Sequence, residues 1–351
     1  MPNWLKALAS CVAVVAALNI IAVVVIGALD GPSPYFARLE PGLKTQTMKG
    51  FVARSGPPLV VTVGSSIADM GFDVQTIDKL LKAEGVQSAG FNFGVNGAGP
   101  LVFRELLARV IFKLAQPKVL IYGVSAIEFN ASSDLFRADQ NKFMASAGLS
   151  VARDGLNPSS ALRVAMFSAF PLFRLGELIW PNAFVDSDGW NWLTRKDFKA
   201  EFNGQQRVTV TWAQQRAGLW PEWANERYRK LLFGYRPSAE ALSALADVVR
   251  LCRDHNVQVL VVNMPVMTSS TALEGTVFSE IDRQNGVRWR QSFEDSLQTE
   301  LRRLGVPYLD VGTKHSLPDD DFGDPFHLNQ VGAMALAELL APRIKPMLQS
   351  D

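Results

Sequence analysis

The sequence predicts an α/β protein whose parallel sheet is covered by helices on both faces, preceded by a single transmembrane helix. Three observations predict it. Short β-branched runs alternate with helical stretches, the alternation resumes after a long interruption, and an uncharged apolar segment occupies residues 7–29.

The apolar segment runs from Ala7 to Leu29 through Val, Ile, Ala and Leu, diluted only by Ser10, Cys11 and Asn19. A helix rising about 1.5 Å per residue crosses the hydrocarbon core with about 20 such residues. Lys6 precedes the segment and Asp30 ends it, which places the N-terminus in the cytoplasm. A cleaved signal peptide has an apolar region of only about 7–15 residues, so an uncleaved anchor is the better reading. Leu8-Ala9-Ser10-Cys11 imitates a lipoprotein cleavage site, but the apolar run follows that cysteine instead of preceding it. Residues 30–57, with Gly, Pro and scattered basic residues, read as a juxtamembrane connector.

The α/β domain is expected over 58–351. Leu59 to Val63 is a β-branched run ending at Gly64, the pattern of a buried strand. Ile77, Leu80 and Leu81 mark a helix stopped by Gly85. Further strands are expected at 89–93, 118–122, 257–262 and 307–311. Helices are expected near 101–115, 238–255, 278–304 and 329–348, with Gly286 a potential break in the third. Strands alternating with helices build a parallel sheet, whose ligands bind beyond the carboxyl ends of the strands. Between 130 and 235 the alternation lapses. This insert carries Trp180, Trp190, Trp192, Trp212, Trp220 and Trp223, six of the eight tryptophans, which form either a sugar-stacking platform or a small satellite core.

Composition narrows the function. Of 351 residues, 48% are hydrophobic and 20% charged, which describes a globular protein. Lys plus Arg number 35 against 34 Asp plus Glu, so no electrostatic case exists for a nucleic-acid partner. There is no phosphate-binding Gly-Lys-Ser loop and no Cys-x-x-Cys. Cys11 lies inside the apolar segment, so a bridge to Cys252 is not expected.

Three segments sit where such a topology places a site. Val63-Gly64-Ser65-Ser66 follows the first strand, and a serine at a strand-to-helix turn is either an exposed nucleophile or an N-cap. Asn92-Phe93-Gly94-Val95-Asn96-Gly97 follows the second, and Gly97 is either an oxyanion N–H donor or part of an ordinary turn. Asp324-Pro325-Phe326-His327 precedes the last helix, where Asp324 can fix the tautomer of His327 or merely cap the helix with Asn329. Of the three histidines, His255 falls at a helix end and His315 in a polar loop, which leaves His327 as the candidate base. Asp319, Asp320, Asp321 and Asp324 form an acidic run read as a solvated loop rather than a cation site. No metal and no cofactor is expected.

This order of blocks resembles the SGNH (GDSL-like) hydrolase superfamily. Gly64-Ser65-Ser66 matches its Gly-Asp-Ser block with Ser in place of Asp, Asn92-x-Gly94-x-x-Gly97 matches its second block, and Asp324-x-x-His327 its last. The resemblance implies a three-layer α/β/α fold with a flavodoxin-like sheet, a catalytic Ser66, Asp324 and His327, and an oxyanion hole of Ser66, Gly97 and Ser125. The third block departs: Gly123-Val124-Ser125-Ala126 puts Ser125 where the family has Asn. A Gly-Ser-Ser block behind a membrane helix is similar to the branch that passes acyl groups onto cell-envelope polymers. That similarity implies a bacterial inner-membrane protein with its catalytic domain in the periplasm, a polysaccharide acceptor, and a multi-pass membrane-bound O-acyltransferase as partner. A carbohydrate esterase or deacetylase, and a catalytically weak binding or assembly protein, are the alternatives.

Overall fold

The computed structural model describes residues 2–28, 40–133, 203–205, 231–267, 289–315 and 317–350. The six tryptophans of the insert and the expected start of the 278–304 helix lie outside these residues.

Helix α1 (Asn3–Ala28) covers the apolar segment. By length and composition it meets the requirement for a membrane span over Asn3–Ile21, with a mean hydropathy of 2.0 and none of that stretch buried. Trp4, Leu8, Val12 and Ile20 are exposed along it, as lipid-facing side chains of a span would be. A signal sequence near an N-terminus shares these properties.

The sheet and its covering helices belong to another compact unit, built from Lys44–Gln140 and Lys199–Asp351. Its five strands are β1 (Val60–Val63), β2 (Gly90–Asn92), β3 (Val119–Val124), β4 (Gln258–Asn263) and β5 (Tyr308–Asp310). All pairings are parallel, in the order β2-β1-β3-β4-β5. This is the flavodoxin-like doubly wound order, with its switch point between β1 and β3. Every residue of β1 and β3 is buried, so these central strands, Thr62 aside, run as near-continuous hydrophobic stretches rather than alternating.

The helices form two layers. On one face, α10 (Gln330–Gln349) packs on α3 (Ser66–Gly71) and α4 (Val74–Ala83). On the other, α7 (Ala239–Asp254) lies between α5 (Pro100–Leu106) and α8 (Trp289–Leu304). The segment expected as one helix near 101–115 is α5 followed by a π-helical turn at Leu107–Ile111 and the short α6 (Phe112–Leu114). α9 (Val311–Lys314) is a single turn directly after β5.

The other local difference concerns the connector. Residues 40–55 form α2 (Glu40–Ser55), which buries Met48 and Phe51. The Phe51 ring meets Phe91 of β2 edge-on, with centroids 5.5 Å apart. Scattered polar residues hid this helix, because its apolar contacts are few and widely spaced.

Candidate active site

The carboxyl ends of β1, β2 and β3 deliver the first two blocks and Ser125. Gly64 directly follows β1, and its φ of +143° lies in the region that disfavours side chains. A Cβ there would stand 2.4 Å from the Gly123 carbonyl and 2.5 Å from Ala68 Cβ. Only glycine fits, and the chain turns sharply enough to start α3 at Ser66. Ser65 takes the N-cap position of α3 without making a side-chain cap bond. Its hydroxyl instead donates to Glu128 Oε1.

The second block is pinned to the first by backbone bonds. The Phe93 N–H donates to Thr62 O at 2.8 Å and the Val95 N–H to Gly64 O at 2.9 Å. Asn92 is fully buried; its Nδ2 donates to the Asp69 carbonyl of α3 and to the Phe72 carbonyl just after that helix, and its Oδ1 accepts the Gly94 N–H. Gly97 turns the chain with φ at +69°.

The last block sits on a self-closed loop. A bridge joins Phe322 to Leu328, and the Gly323 N–H donates to His327 O at 2.9 Å. Phe322, Phe326 and Leu328 are buried and hold the loop down. Asn329 caps α10, its Oδ1 accepting the Val331 and Gly332 N–H groups while Nδ2 donates to Asp320 O. Asp324 Oδ1 accepts the Phe326 and His327 backbone N–H groups at 2.9 Å each, and Oδ2 accepts from His327 Nδ1 at 2.6 Å. That bond leaves Nε2 facing Ser66, and Ser66 Oγ lies 2.8 Å from it. The Asp324 and His327 side chains keep about a sixth of their surface exposed, so the site opens to solvent at this edge.

The charges are mutually adjusted. Burial pushes the Asp324 carboxyl up, but the His327 charge, its ring N–H and two backbone N–H groups together bring it below its ordinary value. Burial pushes the His327 imidazole down, and the charge and hydrogen bond of Asp324, then the charge of Asp69, raise it above the ordinary histidine value. The other two histidines take no part. His255 ends α7, exposed, with its ring 4.4 Å from that of Phe112, and His315 is exposed after α9. The Asp319–Asp321 run forms a 3-10 turn. Among the described residues no group of three or more His, Cys, Asp or Glu is placed to hold a metal. Both cysteines are free thiols, Cys252 buried in α7 and Cys11 exposed on α1.

Ser125 begins the 3-10 turn Ala126–Phe129 in a capping box with Glu128. The Ser125 N–H donates to Glu128 Oε2 at 3.2 Å, and the Ser125 hydroxyl lies 3.3 Å from Oε1. Glu128 is 3% exposed, and burial raises its carboxyl to about 8 against the three bonds that lower it. It thus joins the first block to the third as a neutral acid at pH 7. Sequence reading passed over Glu128, although Ser125-x-x-Glu128 is the spacing of a capping box.

No protein-family model matches the chain, and no curated protein does. Some solved structures are similar to the chain at low identity and low TM-score. An acylhydrolase-class protein from Bacteroides fragilis is 12% identical with a TM-score of 0.41, covering 88% of this chain and 98% of its own. A GDSL-like lipase from Bacteroides thetaiotaomicron is 11% identical with a TM-score of 0.41, covering 86% and 97%. TesA is 12% identical with a TM-score of 0.37, covering 82% and 98%.

Proposed function

We propose that the chain is a serine acyltransferase of the SGNH type, anchored by α1 in the bacterial inner membrane with its catalytic domain on the periplasmic side. It moves an acyl group, acetyl being the simplest, onto a hydroxyl of a cell-envelope or secreted polysaccharide. The observation that carries the reading is the relay Ser66 Oγ···His327 Nε2 and His327 Nδ1···Asp324 Oδ2, at 2.8 and 2.6 Å, on the carboxyl edge of a parallel sheet.

The chemistry runs in two halves. Ser66 Oγ attacks the donor carbonyl while its proton passes to His327 Nε2, and the tetrahedral oxyanion is held by the N–H groups of Ser66 and Gly97. The carbonyl–leaving-group bond breaks, and the leaving group takes the proton from His327. A sugar hydroxyl then gives its proton to His327 as it attacks the acyl-Ser66 carbonyl, and the Ser66 ester bond breaks with return of the proton to Oγ. Asp324 keeps the tautomer that makes Nε2 the acceptor and stabilises the imidazolium. Ser125 joins the oxyanion hole in this reading only when its hydroxyl leaves the Glu128 cap. A multi-pass membrane-bound O-acyltransferase is the natural partner to supply the acyl group.

An esterase or deacetylase acting on the same class of polymer shares the first half and uses water in the second. The exposed edge of His327 favours keeping this second reading. The detergent-solubilised full chain, given an activated acetyl ester with and without acetylatable oligosaccharide, decides between them. Acetylated oligosaccharide supports transfer, and acetate alone supports hydrolysis. Neither product, with no fluorophosphonate labelling of Ser66, removes both and leaves a binding or assembly role.

A further inference from the structure

Among the described residues Lys44 is the one cation that is fully buried, and it lies in a stretch whose sequence reads as a connector. Its ammonium sits 2.5 Å from Asp69 Oδ1 and also donates to the Asn92 carbonyl at 3.2 Å and to the Gly204 carbonyl. Three donors therefore meet three acceptors. Each acceptor belongs to a segment that shapes the site. Asp69 is on α3, three residues after Ser66, and its N–H donates to Ser65 O at 2.9 Å. Asn92 opens the second block and grips α3 through its amide. Gly204 comes so close that a Cβ would stand 2.3 Å from Asn92 O. The second block presses equally hard on Asp69, since a Cβ on Gly94 would lie 2.5 Å from Asp69 Cα.

Two facts turn this cluster toward the chemistry. An isolated carboxylate buried as fully as Asp69 takes up a proton rather than stay charged, so its ionisation depends on a partner. The charge of Asp69 on α3 adds to that of Asp324 in raising the His327 imidazole, and the Lys44 ammonium is in contact with Asp69.

We propose that Lys44 is a positioning residue for the Ser66–His327 pair: its three bonds lock α3, which begins at Ser66, to the second block and pair the buried Asp69 carboxylate with a cation. This rests on the reading of His327 as the base, but its test does not need turnover.

The test is the imidazole titration of His327, followed by NMR on the detergent-solubilised full chain. Lys44→Met and Asp69→Asn each lower the His327 midpoint by about 0.5–1 unit, less than a charge in direct contact produces. The double variant shows about the fall of Lys44→Met rather than the sum of the two, because the Asp69 charge is already lost once its cation is removed. It leaves no unpaired buried ion and is the variant of choice if a single change prevents folding. A lowered melting temperature with a wild-type His327 midpoint in the double variant overturns the proposal and leaves Lys44 a purely structural ion pair. Fluorophosphonate labelling of Ser66 in the unmodified chain is read separately. Its absence would sink the serine-nucleophile reading without touching the titration result.

Discussion

Ser66 and His327 stand 261 positions apart in the chain and 2.8 Å apart in the fold. β1 and its Gly64 turn aim the hydroxyl, while the Phe322–Leu328 loop aims the ring. Contact between two independently built segments is what makes a relay out of an ordinary strand-end serine.

On the proposed mechanism, replacing either end of the relay abolishes acyl transfer. Ser66→Ala should lower kcat by about 10^6, the loss typical of removing a serine nucleophile. Asp324→Asn should cost about 10^4, because the amide can offer its N–H to Nδ1 and favour the wrong tautomer. Burst kinetics with an activated acetyl ester measure both. An acetyl burst that survives Ser66→Ala would remove Ser66 from the mechanism.

In the proposed reaction the raised imidazole of His327 sets the acid limb. Only the neutral ring can take the Ser66 proton, so the rate of acyl-enzyme formation should climb with pH through a midpoint above the ordinary histidine value of 6.5. Labelling rate against pH measures it, and a midpoint at or below that value contradicts the charge arrangement around the ring. Stability moves the other way. A group whose folded value is raised contributes stability that is full below the unfolded value and is lost as pH rises through the folded one.

Glu128 should leave a separate mark on stability. Its carboxyl titrates near 4.5 when unfolded and at about 8 when buried, so the unfolded chain loses that proton first. The stability of the fold should therefore decline as pH rises from about 4.5 to about 8 and then level off for this group. Glu128→Gln keeps the shape and removes the titration. Denaturant midpoints across this range should be flatter in the variant, and an unchanged slope would show that Glu128 is already ionised in the fold.

Gly64→Ala tests the turn that delivers the serine. The new Cβ meets backbone on one side and Ala68 on the other, at a φ of +143°. Neither neighbour is the end of a flexible side chain. The cost should be about 2–4 kcal/mol, from backbone strain and overpacking together. Thermal unfolding reads this cost. A variant within 1 kcal/mol of the original would mean that the β1–α3 turn relaxes more freely than its contacts indicate.

Asn329→Ala should separate the loop from the helix it introduces. The side chain caps α10 through two N–H groups and ties the Asp320 carbonyl. Loss of the cap should cost about 1–2 kcal/mol, and the 320–328 amides should exchange faster with solvent. Unaltered exchange there would assign loop order to the buried Phe322, Phe326 and Leu328 instead.

How much of this was legible beforehand follows from how local each signal is. β1 and β3 were readable because β-branched residues fill strands buried on both sides. Asp324 and His327 were readable because three residues separate them and their bond is local. Lys44 and Glu128 were not. Their partners lie 25 and 63 positions away, at Asp69 and Ser65, and a buried charge looks the same in sequence as a solvated one. The break at Leu107–Ile111 was equally hidden, since a π-turn leaves the apolar spacing of a helix nearly intact.

The self-closed Phe322–Leu328 loop has a consequence for how the three-residue relay is assembled. Because acid and base are neighbours in sequence, their bond can form as soon as the loop does, at small entropic cost. The serine has to wait for α10 to dock on α3 and α4, a closure across most of the domain. Completion of the relay during refolding thus follows the last long-range docking event and not the formation of the Asp324–His327 pair.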